Sequence, residues 1–185
     1  MELKETKALL DKFKSYVIQQ SRSNLSKSKK NDSSALYNSL KGEVVTDGNF
    51  SIVGFSMLDY GMFQDQGVKG ADPSKVSKNA KITGQQAPNS PFSFKNKRPP
   101  SKQLEGWAKR KNIRLRDSKG KFTKGNYKTI GIILAKNIWA RGIKPSLFFT
   151  KPFEAGFKKY IDTDLIKAFG VDIETMVDIK LKDVK

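Results

Sequence analysis

The chain has 185 residues and a formal net charge of +18, from 36 basic and 18 acidic side chains. An excess of this size repels itself unless an anionic partner offsets it, such as DNA, RNA, an acidic protein surface or anionic lipid. The sequence contains no cysteine and no histidine, which excludes disulfides, thiol nucleophiles and imidazole or thiolate metal sites. The fold must therefore be held together by packing or assembly. An enzyme would have to rely on carboxylates, lysine, tyrosine or serine, and we expect a protein that is not an enzyme and carries no metal or cofactor.

Length and composition are typical of a single domain, and we expect one that spans residues 1–185. No stretch has the pattern of a signal peptide, and no apolar run approaches the roughly 20 residues that a membrane span needs. We therefore expect a soluble protein that does not contact a membrane.

The N-terminal part of the chain predicts a helix and a polar connection. Residues 1–20 place apolar side chains at helical spacing between lysines, which indicates an amphipathic N-terminal helix. We expect this helix to pack on its own domain, with a membrane surface as the alternative. Residues 21–34 are rich in serine, lysine and asparagine and predict a flexible linker.

Residues 35–67 predict a short helix and a β-hairpin at the core of the fold. The runs 43–46 and 50–58 alternate like strands, and Asp47-Gly48-Asn49 between them is a strong turn signal. Apolar residues occupy both faces of the second run, so we expect that strand to be covered on both sides. The helical turn that follows ends at Gly67.

The remaining chain alternates between irregular and helical patterns. Residues 68–100 lack periodicity and predict an extended loop or arm that is disordered or becomes ordered only against a partner. Residues 101–161 predict a helical and strand core, with one helix over 101–112 and the longest, central helix over 126–142. Residues 162–185 form a comparatively acidic C-terminal segment, whose tail from Val171 onward is either a helix or an added edge strand.

Together these elements predict an α+β fold. It consists of a small antiparallel β-sheet packed against a long central helix, with N-terminal and C-terminal helices and a long extended loop. A basic middle and an acidic end suit head-to-tail contact between identical subunits. Solvated surfaces alone would give the same asymmetry.

The most informative feature is a basic block between Lys95 and Lys128, which contains only two acidic residues. Such a block neutralises several phosphates at once and predicts salt-sensitive, sequence-independent binding of nucleic acid, although many charge blocks are only solvated faces. Three aromatic residues within it are candidates for stacking on bases or for the core: Trp107, Phe122 and Tyr127. The candidate contacts to DNA in a lumen or to a partner are Lys95, Lys97, Arg98, Lys109, Arg110, Lys111, Arg114, Arg116, Lys119, Lys121 and Lys124.

Carboxylates are the remaining candidates for catalysis. Asp59 and Asp65 are close in sequence, and a two-metal nuclease would need several such groups beside a basic groove. Helix caps and surface charges are the simpler interpretation of these acids. We therefore rank a nuclease below the structural and the nucleic-acid-binding functions that are described next.

Three stretches, taken in order, resemble the phage tail-completion and neck (head–tail joining) proteins of the HK97 gp10-like family. The first comprises 36–40, the hairpin and 59–67, which reads Asp-Tyr-Gly-Met-Phe-Gln-Asp-Gln-Gly. The second is 104–113, with its Trp-Ala-Lys-Arg-Lys sequence. The third is 133–143, leading into Phe-Phe-Thr-Lys-Pro-Phe-Glu-Ala at 148–155.

The resemblance implies a structural virion protein of a tailed bacteriophage, assembled in the host cytoplasm and located in the neck or tail. Copies would form a ring homo-oligomer at the head–tail junction that joins the portal or connector to the tail and lets DNA pass. Neighbouring connector or portal-side proteins, tail proteins and transient non-specific DNA would be its other partners. The family motifs mark these residues as core: Tyr60, Phe63, Gly67, Trp107, Gly142, Phe149, Pro152 and Phe153. The alternative function is that of a basic nucleic-acid-binding protein.

Overall fold

The computed structural model describes residues 3–28, 33–47, 50–76, 80–117 and 119–183. The chain divides into two compact units. The terminal unit comprises Met1–Leu58 and Leu147–Lys185, and the central unit comprises Asp59–Ser146. The chain therefore leaves the terminal unit once and returns to it.

The terminal unit contains four helices and one hairpin among its described residues: α1 (Lys4–Lys27), α2 (Ala35–Ser39), β1 (Lys41–Asp47), β2 (Phe50–Ser56), α6 (Thr150–Gly156) and α7 (Asp162–Asp183). The described part of the central unit contains α3 (Tyr60–Gln66), β3 (Val68–Lys69), α4 (Ser101–Arg110), α5 (Tyr127–Arg141) and β4 (Gly142–Ile143). The predicted α+β class, with a small antiparallel sheet and a long helix, is confirmed.

Helix α1 is the platform of the terminal unit. One stripe of the helix is buried, and it comprises Thr6, Leu9, Leu10, Phe13, Val17, Ser21 and Leu25. The stripe confirms that the helix packs on its own unit. It also shows that the predicted linker is wrong over residues 21–27, because Ser21 and Leu25 extend the buried stripe and the helix continues to Lys27. The Arg22 guanidinium secures this end by donating to the Leu40 carbonyl oxygen at 2.9 Å. Residues 29–32 of that linker lie outside the described residues.

The predicted hairpin is confirmed. β1 pairs antiparallel with β2 in a register that places Val44 opposite Val53, whereas the predicted turn residues Gly48 and Asn49 lie outside the described residues. On the inner face, the Phe55 ring meets the rings of Phe13 in α1 and Phe153 in α6 edge-on, at centroid distances of 5.9 and 6.0 Å. Offset contacts of this kind add to the apolar area that the rings bury.

The outer face of the hairpin is open, so the prediction of a strand covered on both sides is wrong. Phe50 and Ile52 are 75% and 64% exposed, and Val45, which lies opposite Ile52, is also exposed. The reason is that α1 and α6 cover one face of the sheet, and no second layer of the described residues covers the other. Strand alternation alone does not reveal how many layers pack on a sheet.

The C-terminal segment is an α-helix, so the predicted helix is confirmed and the alternative edge strand is wrong. α6 continues through a π-helical turn at Phe157–Ile161 into α7. Pro152 lies in the first turn of α6, where its missing N–H is tolerated. The carboxylate of Asp172 in α7 accepts hydrogen bonds from the backbone N–H groups of Glu5 and Thr6, at 3.0 and 2.9 Å. A residue near the end of the chain therefore caps the first helix.

The central unit is built on the crossing of α4 and α5. The Asn126 side chain caps α5 by accepting from the Thr129 N–H at 2.8 Å, and the helix ends at Gly142, whose φ of +90° favours glycine. The prediction that this helix is the longest is wrong: α1 has 24 residues and α5 has 15. The sheet of the terminal unit packs on α1.

The predicted extended arm, 68–100, is held to the central unit by its backbone. Lys69 donates its N–H to the Phe92 carbonyl oxygen at 2.8 Å, and Phe94 donates to the Lys69 carbonyl oxygen at 2.9 Å. On its other side, β3 pairs with β4. The Gln86 N–H donates to the Arg141 carbonyl oxygen at the end of α5, at 2.8 Å. Residues 92–94 therefore run beside β3, on the side away from β4.

We predict that Gly131→Ala destabilises the protein, although alanine is the better helix former by about 1 kcal/mol. A Cβ at Gly131 would lie 2.6 Å from the Ser101 carbonyl oxygen and 3.0 Å from the Glu105 nitrogen, where α4 crosses α5. We expect a loss of about 1–3 kcal/mol in the free energy of unfolding, measured by urea denaturation with circular dichroism.

Gly106→Ala is the matched control for this prediction. The Arg110 guanidinium, 3.4 Å away, is the neighbour that a Cβ at Gly106 would meet. This variant should therefore gain about 0.5–1 kcal/mol from helix propensity. An equal gain in both variants would contradict the close crossing of the two helices.

We predict that Asp172→Ala destabilises the protein by about 1 kcal/mol near neutral pH, as the loss of a helix cap does. Burial acts to raise the pKa of Asp172, but hydrogen bonds from the N–H groups of Thr6 and Glu5 outweigh it and lower the pKa below its ordinary value of 3.8. A lowered pKa means that this stabilisation is present above 3.8 and is lost as the pH falls through the folded-state pKa. The difference in stability between wild type and variant should therefore shrink in acid. Thermal unfolding as a function of pH measures this difference.

Glu174→Ala removes the same charge from an exposed position of the same helix and serves as the control. It should change stability little at any pH. If it matched Asp172→Ala, the effect would be one of overall charge and not of the cap.

Candidate functional site

Positive charge is concentrated in the central unit. Residues 59–146 carry 20 basic and 5 acidic side chains, a net charge of +15, whereas the terminal unit carries 16 and 13, a net charge of +3. An electrostatic field of this kind attracts polyanions to the central unit specifically. The surface of the central unit is therefore the candidate site for a polyanionic partner.

The basic hairpin, residues 114–117 and 119–124, is mostly exposed. The Asp117 N–H donates to the Lys121 carbonyl oxygen at 2.9 Å, and the Thr123 N–H donates to the Leu115 carbonyl oxygen at 3.0 Å. Arg116 and Phe122 form a β-bridge between the two arms. The Asp117 carboxylate accepts from the N–H groups of Lys119 and Lys121, both at 2.9 Å. One of the few acids of the basic block thus shapes the turn of the hairpin.

Phe122 lies on the surface of the basic hairpin, close to two guanidinium groups. Its side chain is 60% exposed. The guanidinium carbon of Arg116 lies 4.1 Å from the ring centroid and that of Arg114 lies 5.8 Å away. Cation–π contacts at exposed sites contribute about 0.5–1 kcal/mol each and hold the charged groups in place. The arrangement presents two positive charges and a π surface together, which suits phosphates and unstacked bases.

A second basic cluster surrounds Trp139 of α5. The indole Nε1 donates to the Lys95 carbonyl oxygen at 2.6 Å. The Arg98 guanidinium lies 5.3 Å from the ring centroid, and the Lys75 ammonium lies 5.6 Å from it. Trp139 therefore fixes the backbone at Lys95 and gathers charges from two distant segments. Sequence reasoning missed Lys75 and Trp139 as site residues, because their contacts join segments that are far apart in the chain.

All eleven predicted basic contact residues are exposed. The structure gathers them in three places. Lys95, Lys97 and Arg98 line one groove, Lys109–Lys111 lie at the end of α4, and the other predicted residues belong to the basic hairpin. Of the three predicted aromatic residues, Phe122 is well exposed, whereas Trp107 and Tyr127 are partly buried. The base-stacking prediction therefore applies best to Phe122.

Two of the predicted core residues are not buried. Tyr60 and Phe63 are 47% and 42% exposed, because α3 is a helix of two turns that turns its larger side chains outward. Its buried residues are Gly61 and Asp65. The other motif residues are buried or partly buried, and they are Gly67, Trp107, Gly142, Phe149, Pro152 and Phe153.

The predicted carboxylate pair does not share one exposed site, since Asp65 is fully buried while Asp59 is exposed. Among the residues that the structure describes, no group of three or more acidic side chains is placed to hold a metal ion. Within the same residues, no helix combines the length and apolarity that crossing a bilayer requires.

Comparison with known proteins gives no relative for this chain. A scan against protein-family models, a search of curated proteins and a search of solved structures each found no match. The resemblance to phage neck proteins therefore stays a prediction, and the site must be interpreted from its own geometry.

We predict that Trp139→Leu loosens the segment around Lys95, because it removes both the Nε1–H donor and the ring beneath Arg98. Trp139→Phe keeps a ring but loses the donor, so it should fall between leucine and wild type. Limited trypsin digestion measures this, since cleavage after Lys95 and Lys97 should accelerate several-fold.

Cleavage after Lys119 and Lys121, in the basic hairpin, is the internal control of the same digest. Its rate should stay at the wild-type value, because Trp139 makes no described contact there. Equal acceleration at both places would indicate that the whole unit had been destabilised.

Proposed function

We propose that this chain is a structural protein of a tailed bacteriophage, which assembles as a ring at the head–tail junction, joins the portal or connector to the tail and lets DNA pass. The observation that carries the proposal is the segregation of charge between the two units. One unit holds a net charge of +15 and the other +3, and among the described residues both units expose large apolar side chains. The order of the family motifs in the sequence supports the same function.

The terminal unit has the surface of a subunit that assembles. Phe50, Ile52 and Val45 form an exposed apolar face on the hairpin. The described strands β1 and β2 also pair only with each other, which leaves an unpaired edge on each. Exposed apolar faces and open strand edges are typical of surfaces that pair with other chains.

The central unit has the surface of a protein that lies beside DNA without reading its sequence. Its charges are exposed lysines and arginines, and Phe122 adds an aromatic contact. Lysines and arginines at phosphates supply affinity but no sequence information. A channel through which DNA moves needs contacts that do not depend on the DNA sequence.

A second candidate function is that of a basic nucleic-acid-binding protein that acts without a ring. The observation that favours it is the exposed Phe122 ring, which lies close to the guanidinium groups of Arg114 and Arg116. Such a platform binds single strands through stacking and charge. It would need no other copy of the chain.

The first test is the mass of the purified chain by light scattering, with electron microscopy of the chain alone and with connector particles. A ring, or a monomer that becomes a ring on a connector, agrees with the first function. A chain that stays monomeric with connectors and binds DNA would favour the second. A chain that neither assembles nor binds DNA would overturn both.

We predict that Lys119→Glu with Lys121→Glu weakens binding of duplex DNA by about tenfold or more near 0.1 M salt. Both lysines lie in the turn of the basic hairpin, so their reversal removes two phosphate-binding charges and adds repulsion. The slope of log K against log salt should become shallower by about 0.9 for each phosphate that the hairpin no longer neutralises. Fluorescence anisotropy with labelled DNA across a salt series measures both quantities.

Lys4→Glu with Lys12→Glu makes the same change of charge at exposed positions of the terminal unit. It should leave the slope near its wild-type value. If both pairs weakened binding equally, net charge and not the basic hairpin would determine the affinity.

A further inference from the structure

The central unit carries an open groove of about 900 Å³ that the function proposed so far does not use. Its apolar lining includes Phe63, Val68, Phe92, Phe94 and Ile143. The rings of Phe63 and Phe92 meet edge-on at a centroid distance of 4.8 Å. Phe63, which was predicted as core, therefore forms one wall of the open groove, and its side chain stays partly exposed.

One rim of the groove is basic and fixed in place. Lys95, Lys97 and Arg98 line it, and none of the residues described as lining it is acidic. The Phe94 N–H donates to the Lys69 carbonyl oxygen at 2.9 Å, and the Trp139 indole holds the Lys95 carbonyl oxygen. A rim anchored on both sides is formed before a ligand arrives, which lowers the entropy cost of binding.

The chemistry of the groove specifies its occupant. An apolar floor with a cationic rim fits apolar side chains carried on an acidic scaffold, and an amphipathic helix in a groove is a common way to present them. Duplex DNA would satisfy the rim with its phosphates, but its bases are stacked on one another and leave no apolar surface for the floor.

Helix α7 of this same chain has the matching surface. Ile166, which is 82% exposed, shares one helix face with Phe169 and Ile173, both also exposed. Asp162 lies one turn before Ile166, and Glu174 follows Ile173. The described side chains of the helix, residues 162–176, include four acids and one base, and one of the four acids, Asp172, is already used in capping α1.

We propose that the groove of one copy binds the Ile166–Phe169–Ile173 face of α7 from a second copy. The proposal rests on the proposed function, because it names the contact that would build the ring. Each copy offers one groove and one α7, so the contact is head-to-tail and closes into a ring where the rotation per subunit permits. The basic rim and the acidic residues of α7 are complementary in charge, which favours this pairing of groove and helix.

The chain has no cysteine, so cysteine cross-linking tests the contact without background. Lys97→Cys on the rim and Ile166→Cys on α7 are made in separate copies with different tags, mixed, and oxidised mildly. Both positions are exposed, so neither change should affect folding. We expect the mixed disulfide to form about tenfold faster than for unrelated thiols, because the contact raises their effective concentration.

Thr175→Cys is the matched control, since this exposed residue lies on the opposite face of α7 from Ile166. A mixed disulfide that forms no faster with Ile166→Cys than with Thr175→Cys overturns the contact. Disulfide formation that is fast and falls after Lys95→Glu, and recovers when the partner copy carries Glu174→Lys, supports it. If Lys95→Glu abolishes DNA binding and leaves the cross-link rate unchanged, the rim belongs to DNA and the proposal is wrong.

This experiment separates the contact from the proposed function. Rings seen by electron microscopy without the groove cross-link would mean that the ring uses another surface, and the neck function would stand. A strong cross-link in a chain that forms no ring with or without connector particles would support the contact and reject the ring.

Discussion

The terminal unit depends on one constraint: a two-stranded hairpin is at best marginally stable in water by itself. Here the Phe55 ring joins β2 to Phe13 of α1 and Phe153 of α6, so two helices from opposite ends of the chain stabilise one strand. The carboxylate of Asp172 then fixes α7 to the first turn of α1. Because these partners are far apart in sequence, the terminal unit is incomplete until residue 172 is available, whereas the central unit is contiguous.

The central unit obeys a different constraint, which is its own repulsion. Its few acids do little to relieve it, because most of those described serve local structure. Asp117 shapes the basic hairpin, Asp65 is buried, and Asp72 accepts from the Ser74 N–H at 3.1 Å and pairs with Lys75 at 3.1 Å. The small number of acids therefore leaves this unit with a large excess of positive charge. Stability and binding of this unit should both respond to ionic strength, since salt screens charges at the surface.

The sequence predicted those features that depend on short-range pattern. The hairpin, the ends of α5 and the basic block all follow from turn residues, caps and composition. The features that it did not predict depend on distant partners. Nothing near Leu25 indicates that it is buried, because serine and lysine surround it and the residues that cover it come from elsewhere in the chain. The exposure of Phe50 and the role of Trp139 are set in the same way, by which elements pack against them and which do not.

If the basic hairpin contacts DNA and the groove binds the next copy, as we propose, the two surfaces would respond differently to salt. The basic hairpin has charge and one aromatic ring, so binding of phosphates there would weaken steeply as salt rises. The groove has an apolar floor, and burial of apolar surface is not weakened by salt, although its basic rim is screened. A ring held by the groove would thus survive conditions that release DNA. Structural subunits around a moving polyanion need this separation, because a contact that held DNA as firmly as it held the next subunit would stop the passage.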